Sequence, residues 1–391
     1  GRRPGGADDR RLGDPHARAR ASKVNRVLIV GGGPAGMTAA IALARRGIGC
    51  EIVEREVDWR PAGIGIGLQS PPMRALRDLD VLAPIVDRAW HHAVIDMMRP
   101  DGVKVAEMPQ VNVLGPDDPP FVTMSRMTLH EVLAERLRSF DVPVRLGVTV
   151  AELDDGAVTF TDGTTGAYDL VVGADGVHSA IRQLLVPDAP GPTYAGQVIW
   201  RLDVRKPAQL ERYTMMLGQD TRLGLVPIGP ERAYVWMLDS STGPNRPPAD
   251  RVLDMLHERL SAFGFVVPEI AAQITDAAQI DFRGLYWLLV PPPWGAGRAV
   301  LIGDAAHTTT PQMAWGVGLA IEDALVLADL VASGADARDL PGRLTERRFE
   351  RCRLVVEGSL QLSRWEREPD TPGADPGGLI RETFRALCAP I

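Results

Sequence analysis

The chain has 391 residues, 45% of them hydrophobic and 24% charged, which suits a water-soluble globular protein larger than one core usually grows. Its net charge of −7 gives no electrostatic footing on nucleic acid or an anionic membrane surface, and no apolar run reaches bilayer-spanning length. Cys50, Cys352 and Cys388 are odd in number and lack metal-ligand spacing, so neither a metal site nor a disulfide framework is expected, and a cytoplasmic setting is.

Residues 1–24 are rich in Arg, Gly, Asp and Pro and read as a disordered leader. Order begins at residues 27–30, a short apolar run of buried-strand type. A glycine loop follows, then an alanine-rich helix over 37–46 closed by Gly47, then a second strand over 48–54. This strand–helix–strand unit opens a doubly wound α/β sheet. Residues 90–107 alternate around Pro100-Asp101-Gly102 and predict a hairpin, in which His91 and His92 are both expected to be exposed. An amphipathic helix over 129–140 leads back to strands at 142–153, 157–160 and 169–173.

From 187 to about 284 the texture changes to short alternating strands at 197–204, 213–218, 223–227 and 233–238, with one helix over 249–263. That is a mostly antiparallel sheet. Residues 299–302 resume the buried-strand pattern, and helices are expected over 321–331 and 344–365 with a last short one beyond.

Three motifs carry the chemistry. In Gly31-Gly32-Gly33-Pro34-Ala35-Gly36, Gly31 permits a tight turn, Gly33 lets backbone approach a pyrophosphate, and Gly36 lets helix and strand pack closely. The diphosphate would meet free N–H groups at the helix start. Glu54 ends the next strand, where its carboxylate can accept from an adenosine ribose. This motif alone leaves NAD and FAD open. The second motif, Gly173-Ala174-Asp175-Gly176 with Arg182, is open to a plain reading as a turn capped by Asp175. The third, Gly303-Asp304-Ala305-Ala306-His307, puts a carboxylate at a strand end, suited to polyol hydroxyls. His307 is expected to be structural.

In this order the motifs resemble those of the class A flavoprotein monooxygenases, the p-hydroxybenzoate hydroxylase-like aromatic hydroxylases, over residues 26 to about 333. The resemblance implies a Rossmann-like FAD-binding domain (25–88, 121–187 and 285–340) interleaved with a mostly antiparallel substrate domain (89–120 and 188–284), then C-terminal helices (341–391). It implies FAD contacts from Arg55, Arg126 beside Ser125, the Val150 backbone, Asp175 and Asp304. The loop Pro311 to Gly318, with Gly316, Val317 and Gly318, would lie beside the flavin's reactive edge, and residues 63–68 would flank the ring. Many relatives read Gly-Gln-Gly-x-Asn where this chain has Ala314-Trp315-Gly316-Val317-Gly318, which removes an Asn side-chain contact. Trp315 is read as covering the flavin or filling the surface.

The family chemistry implied is reduction of FAD by NAD(P)H, addition of O2 at flavin C4a, and oxygen transfer from the hydroperoxide to an aromatic or heteroaromatic small molecule. No second Rossmann unit is present, so NAD(P)H would visit transiently. Strand parity offers Arg201, Tyr213 and Tyr234 as catalytic candidates, with Arg201 alternatively a surface residue paired to Asp203 or a neighbouring strand. An arginine facing the pocket would favour a phenolate or carboxylate. The rivals are a related flavoprotein performing epoxidation, oxidative decarboxylation or antibiotic modification, and a flavin- or ligand-binding protein without turnover. A monomer or homodimer is expected, with no nucleic-acid or membrane partner.

Overall fold

The computed structural model describes residues 24–218 and 221–391, so the expected leader falls outside it up to residue 23. Val24, read as part of that leader, is instead 3% exposed, because its apolar side chain joins the core that holds Val27 and Ile29.

Two large sheets organise the α/β fold. The first has six strands, in the spatial order Gly295–Ala296, Ala299–Leu301, Leu170–Gly173, Arg26–Val30, Gly49–Glu54 and Val144–Leu146. All its pairs are parallel except the short one at its edge. Ile29 and Leu170 face the core under the Pro34–Arg45 and Gly316–Ala332 helices, while Leu28, Val30 and Val171 face the opposite core. Both faces are covered, which is why these strands read as unbroken apolar runs. Register matters more than composition here. Val30 pairs with both Val53 and Gly173, and Gly173 pairs with Leu301, so the three motifs leave the same end of adjacent strands. That end is where doubly wound sheets bind ligands.

The second sheet has seven strands, in the order Asp281–Trp287, Thr193–Arg205, Arg232–Ser240, Thr221–Pro227, Thr214–Leu217, Val94–Met98 and Lys104–Pro109. It is antiparallel apart from the pair joining Val94–Met98 to Thr214–Leu217. One face, with Trp200, Leu202, Leu225 and Met237, packs on Val252, Leu256 and Leu260 of the Ala249–Leu260 helix. The other carries Tyr213, Met215, Tyr234 and Trp236 toward Ile64 and Phe121.

Several elements begin earlier than their apolar periodicity suggests. The Gly316–Ala332 helix starts five residues before 321, because Gly316 and Gly318 in its first turn carry no hydrophobic signal. The Leu340–Arg367 helix likewise hides its start behind Pro341 and Gly342. The strand at 197 extends back to Thr193 across a register shift between Tyr194 and Val198, where Gly196 has φ +82°.

Candidate active site

The glycine loop is built by close approaches that admit no side chain. A Cβ on Gly31 (φ +111°) would lie 2.4 Å from the Ala174 carbonyl oxygen, and one on Gly36 would lie 2.0 Å from the Gly31 oxygen. These two glycines are required by the protein itself. Gly33 differs, because a Cβ there would meet nothing within 4 Å. The Pro34–Arg45 helix has Gly33 as its N-cap with no side-chain hydrogen bond, so its first N–H groups remain free for an anion. Pro34 and Ala35 form that opening turn. Glu54 sits alongside, one oxygen accepting from the Gly32 N–H at 2.8 Å and the other from the Glu56 N–H at 3.0 Å. Trp59, which the sequence reading passed over, donates its indole N–H to the Gly32 carbonyl at 2.8 Å and packs on that glycine.

Asp175 approaches Gly31 through its backbone, while its carboxylate caps the Ala180–Leu185 helix. It accepts from the Ser179 hydroxyl at 2.5 Å and from the Ala180 and Ile181 N–H groups at 2.8 and 3.1 Å. Arg182 clasps the second motif to the third, donating to the Val177 carbonyl at 2.8 Å and the Ala305 carbonyl at 3.0 Å. It is 3% exposed, and that burial lowers its pKa. Val150 is buried beside the Glu54 end of its sheet, where the nearby Val148 N–H reaches the Glu54 carbonyl at 3.1 Å. Arg55 is exposed, 3.2 Å from Glu56.

Asp304 presents a carboxylate with no hydrogen bond among the described residues. Asp304 keeps solvent exposure, yet desolvation by the protein packed around it raises its pKa, and His307 and Arg126 oppose the rise. The turn beneath it is braced. The Gly303 N–H donates to Asp323 at 3.0 Å, His307 Nε2 lies 2.5 Å from the same oxygen, and Arg348 Nε reaches the other oxygen at 2.7 Å. Burial opposes ionisation of Asp323, but His307 and Arg348 outweigh it and bring its pKa to about 2. Burial also works against a charged His307, yet Cys352 and Asp323 hold it well above its ordinary value. His307, Asp323 and Cys352 could in principle hold a metal. Both Asp323 oxygens are already engaged and Arg348 stands beside them, which disfavours a second cation.

The loop from Pro311 makes a short turn, passes through Ala314 at φ +52°, and enters the Gly316–Ala332 helix. That helix has no side-chain cap, so the Gly316, Val317 and Gly318 N–H groups are free of helical partners. Trp315 neither covers this opening nor fills the surface. It is 1% exposed and packs at 5.2 Å on Phe384, because the Pro376–Leu387 helix closes over it.

Opposite these motifs stands the second sheet. A Cβ on Gly63 would lie 3.0 Å from Arg126 and 3.3 Å from Arg201, and one on Gly65 would fall 2.4 Å from the Tyr234 ring. Arg126, Arg201 and Tyr234 therefore converge on the 63–65 loop. Arg201 pairs with Asp281 on the adjoining strand, Nη2 to Oδ2 at 2.7 Å, rather than with Asp203. The Nε atoms of Arg126 and Arg201 are buried without a partner among the described residues. Burial depresses the Arg126 pKa and Arg201 adds to the effect, while Tyr234 is pushed up to about 12 by its own burial. Tyr213 is likewise raised by burial. The Trp236 indole lies over Gly224, where a Cβ would sit 2.1 Å away.

His92 corrects the expectation of exposure. Its neighbour His91 is exposed, but His92 is 2% exposed because the alternation of its strand turns it inward. Nδ1 accepts from the Tyr213 N–H at 3.3 Å, so Nε2 carries the proton and donates to Thr123 Oγ1 at 2.8 Å. Thr123 in turn donates to the Pro227 carbonyl. Burial lowers the His92 pKa to about 4, which keeps the ring neutral.

A parallel doubly wound sheet with two helix starts lacking side-chain caps, a glutamate at the second strand end and, among the described residues, an unbonded carboxylate at the third is the architecture of a dinucleotide-binding protein. A family model described as "FAD binding domain" matches residues 25–354, and the chain belongs to that family. It is 33% identical to an aurachin C monooxygenase/isomerase of Stigmatella aurantiaca over 87% of this chain and 90% of that one. It is also 33% identical to a 2-heptyl-3-hydroxy-4(1H)-quinolone synthase of Pseudomonas aeruginosa, again over 87% and 90%. Klebsiella pneumoniae HpxO, solved with FAD and uric acid, has the same fold, with a TM-score of 0.79 at 23% identity over 93% of this chain and 92% of that one. The protein is thus an FAD-dependent monooxygenase, with NAD(P)H the reductant typical of the family. No helix among the described residues is long and apolar enough to cross a membrane.

Proposed function

We propose that this enzyme hydroxylates an aromatic or heteroaromatic small molecule held between the 63–65 loop and the inner face of the seven-stranded sheet. The observation that carries this reading is the convergence of Arg126, Arg201 and Tyr234 on Gly63 and Gly65. It sets a cationic, aromatic-lined face against the segments that would hold the flavin. The names of the relatives, one a quinolone synthase, support a heteroaromatic substrate.

Gly31, Gly33 and the Pro34–Gly36 turn would hold the diphosphate, Glu54 the ribose, Asp304 the ribityl hydroxyls, and the Gly316–Gly318 N–H groups the flavin edge. When bound, FAD supplies electrons from NAD(P)H and the oxygen atom taken from O2. The chain's own task is to bind and orient the ring, favour its ionised form and exclude water. Arg201 does the second of these, its guanidinium aimed by Asp281. Tyr213 and Tyr234 stay protonated at neutral pH and act as hydrogen-bonding walls. The free cysteines support the expected cytoplasmic setting, and the monomer or homodimer expectation is open to sedimentation.

The test is NAD(P)H consumption and product formation over a panel of phenols and hydroxylated nitrogen heterocycles. Substrate-stimulated flavin reduction with one oxygen atom incorporated is expected. Failure of reduced FAD to form under any condition defeats the reading. Arg201→Ala should weaken substrate binding and stimulated reduction while FAD content stays intact, and unchanged kinetics would remove Arg201 from the site.

A further inference from the structure

The inner sheet face continues past Trp236 to a second arginine. Arg222 pairs with Leu238, which pairs with Ile199, so Arg222 shares the face of Arg201 and Trp236. It lies two strands across and two residues along from Arg201, about 12 Å between α-carbons from ordinary sheet spacings. Beside it is a cavity of about 140 Å³, walled by Leu217, Leu238, Trp365 and Pro369 together with Arg222 and Glu366.

Glu366 explains how Arg222 is aimed. It stands at the end of the Leu340–Arg367 helix with its side chain 6% exposed, and its Oε1 lies 3.2 Å from Arg222 Nε. Its other oxygen accepts from Gln197 at 3.1 Å and from Gln312, next to Pro311, at 2.9 Å. Ser363 closes the knot by donating to Gln197 at 2.6 Å. Glu366 thus has both oxygens engaged within the protein. It grips one edge of the guanidinium and leaves Nη1 and Nη2 without a partner among the described residues. Two parallel donors in a fixed plane match a carboxylate. The wide walls of Trp365, Leu217 and Leu238 suit a short hydrocarbon spacer.

We propose that Arg222, held by Glu366, is a distal specificity site that receives a carboxylate borne by the aromatic substrate at the end remote from the reacting carbon. This rests on the reading of the sheet face as the substrate wall. Gln197 and Gln312 tie the same knot to the long strand and to the loop beside the flavin edge, so occupation of the distal site would reach both.

The probes are 4-hydroxyphenyl alkanoic acids of increasing chain length and the primary alcohols of equal length. Each is titrated into FAD-loaded protein, reading the flavin visible spectrum and NAD(P)H oxidation. At one chain length the acid should bind about ten-fold or more tightly than the alcohol. Arg222→Gln should erase that preference with FAD content unchanged, and Glu366→Gln should reduce it. Arg201→Gln should weaken acids and alcohols alike. Equal binding of acids and alcohols at every length, or a preference that survives in Arg222→Gln, overturns the distal site while sparing the hydroxylase reading. No response to any probe, in spectrum or oxidation, counts against both.

Discussion

His92→Gln should change the acid sensitivity of the fold by a calculable amount. In the folded protein the ring is locked neutral, with a pKa of about 4 against 6.5 for the free side chain. Between those values the unfolded chain binds a proton that the folded chain refuses, so stability falls as pH drops from about 6.5 toward 4. The full effect is about 3 kcal/mol at pH well below 4, of which roughly 2 kcal/mol has been lost by pH 5. Glutamine does not titrate, and its amide can donate to Thr123 and accept from the Tyr213 N–H. Urea unfolding of FAD-saturated wild type and variant at pH 7 and pH 5 isolates this group, because the other titrating residues cancel in the difference. The variant should lose about 2 kcal/mol less than wild type. Equal losses would show that His92 is not the buried neutral link drawn here between Tyr213 and Thr123.

Asp304→Asn should weaken FAD binding by about ten- to a hundred-fold, the worth of charge-assisted hydrogen bonds to the ribityl chain, as read by flavin fluorescence; equal affinity would remove it from that role. Arg182→Met strands the buried Ala305 carbonyl and the partly buried Val177 carbonyl and should destabilise the fold by about 1–3 kcal/mol, with an unchanged urea midpoint counting against the clasp. Gly65→Val places a side chain into the Tyr234 ring and should lower stability by about 1–3 kcal/mol and reduce substrate-stimulated flavin reduction. A wild-type melting temperature together with wild-type reduction rates would contradict the close approach.

The dinucleotide half was legible because its constraints are local. Gly36 is required by the Gly31 carbonyl of its own loop, and the apolar runs at 27–30 and 170–173 are buried on both faces, whereas Gly31 answers to Ala174 in the distant second motif. Asp175 shows where such reading stops. Its cap and its place against Gly31 come from one turn, and the motif alone cannot say which use holds the carboxylate. The supporting residues were hidden for a different reason. Asp323 and Arg348 lie on separate helices and meet only when these pack, Asp281 reaches Arg201 across a strand pair, and His92 is neutral and buried only once Tyr213 folds over it. Nothing near any of them in the chain marks its partner.

The Arg182 clasp also bears on how the protein is made. It joins residues 123 positions apart, and the strand ends it unites belong to a parallel sheet that forms only through long-range pairing. No early segment emerging from the ribosome therefore carries all three motifs. FAD should bind last, and by binding only the finished fold it should pull the folding equilibrium toward completion. Yield of intact protein in a cell is then expected to rise and fall with flavin supply.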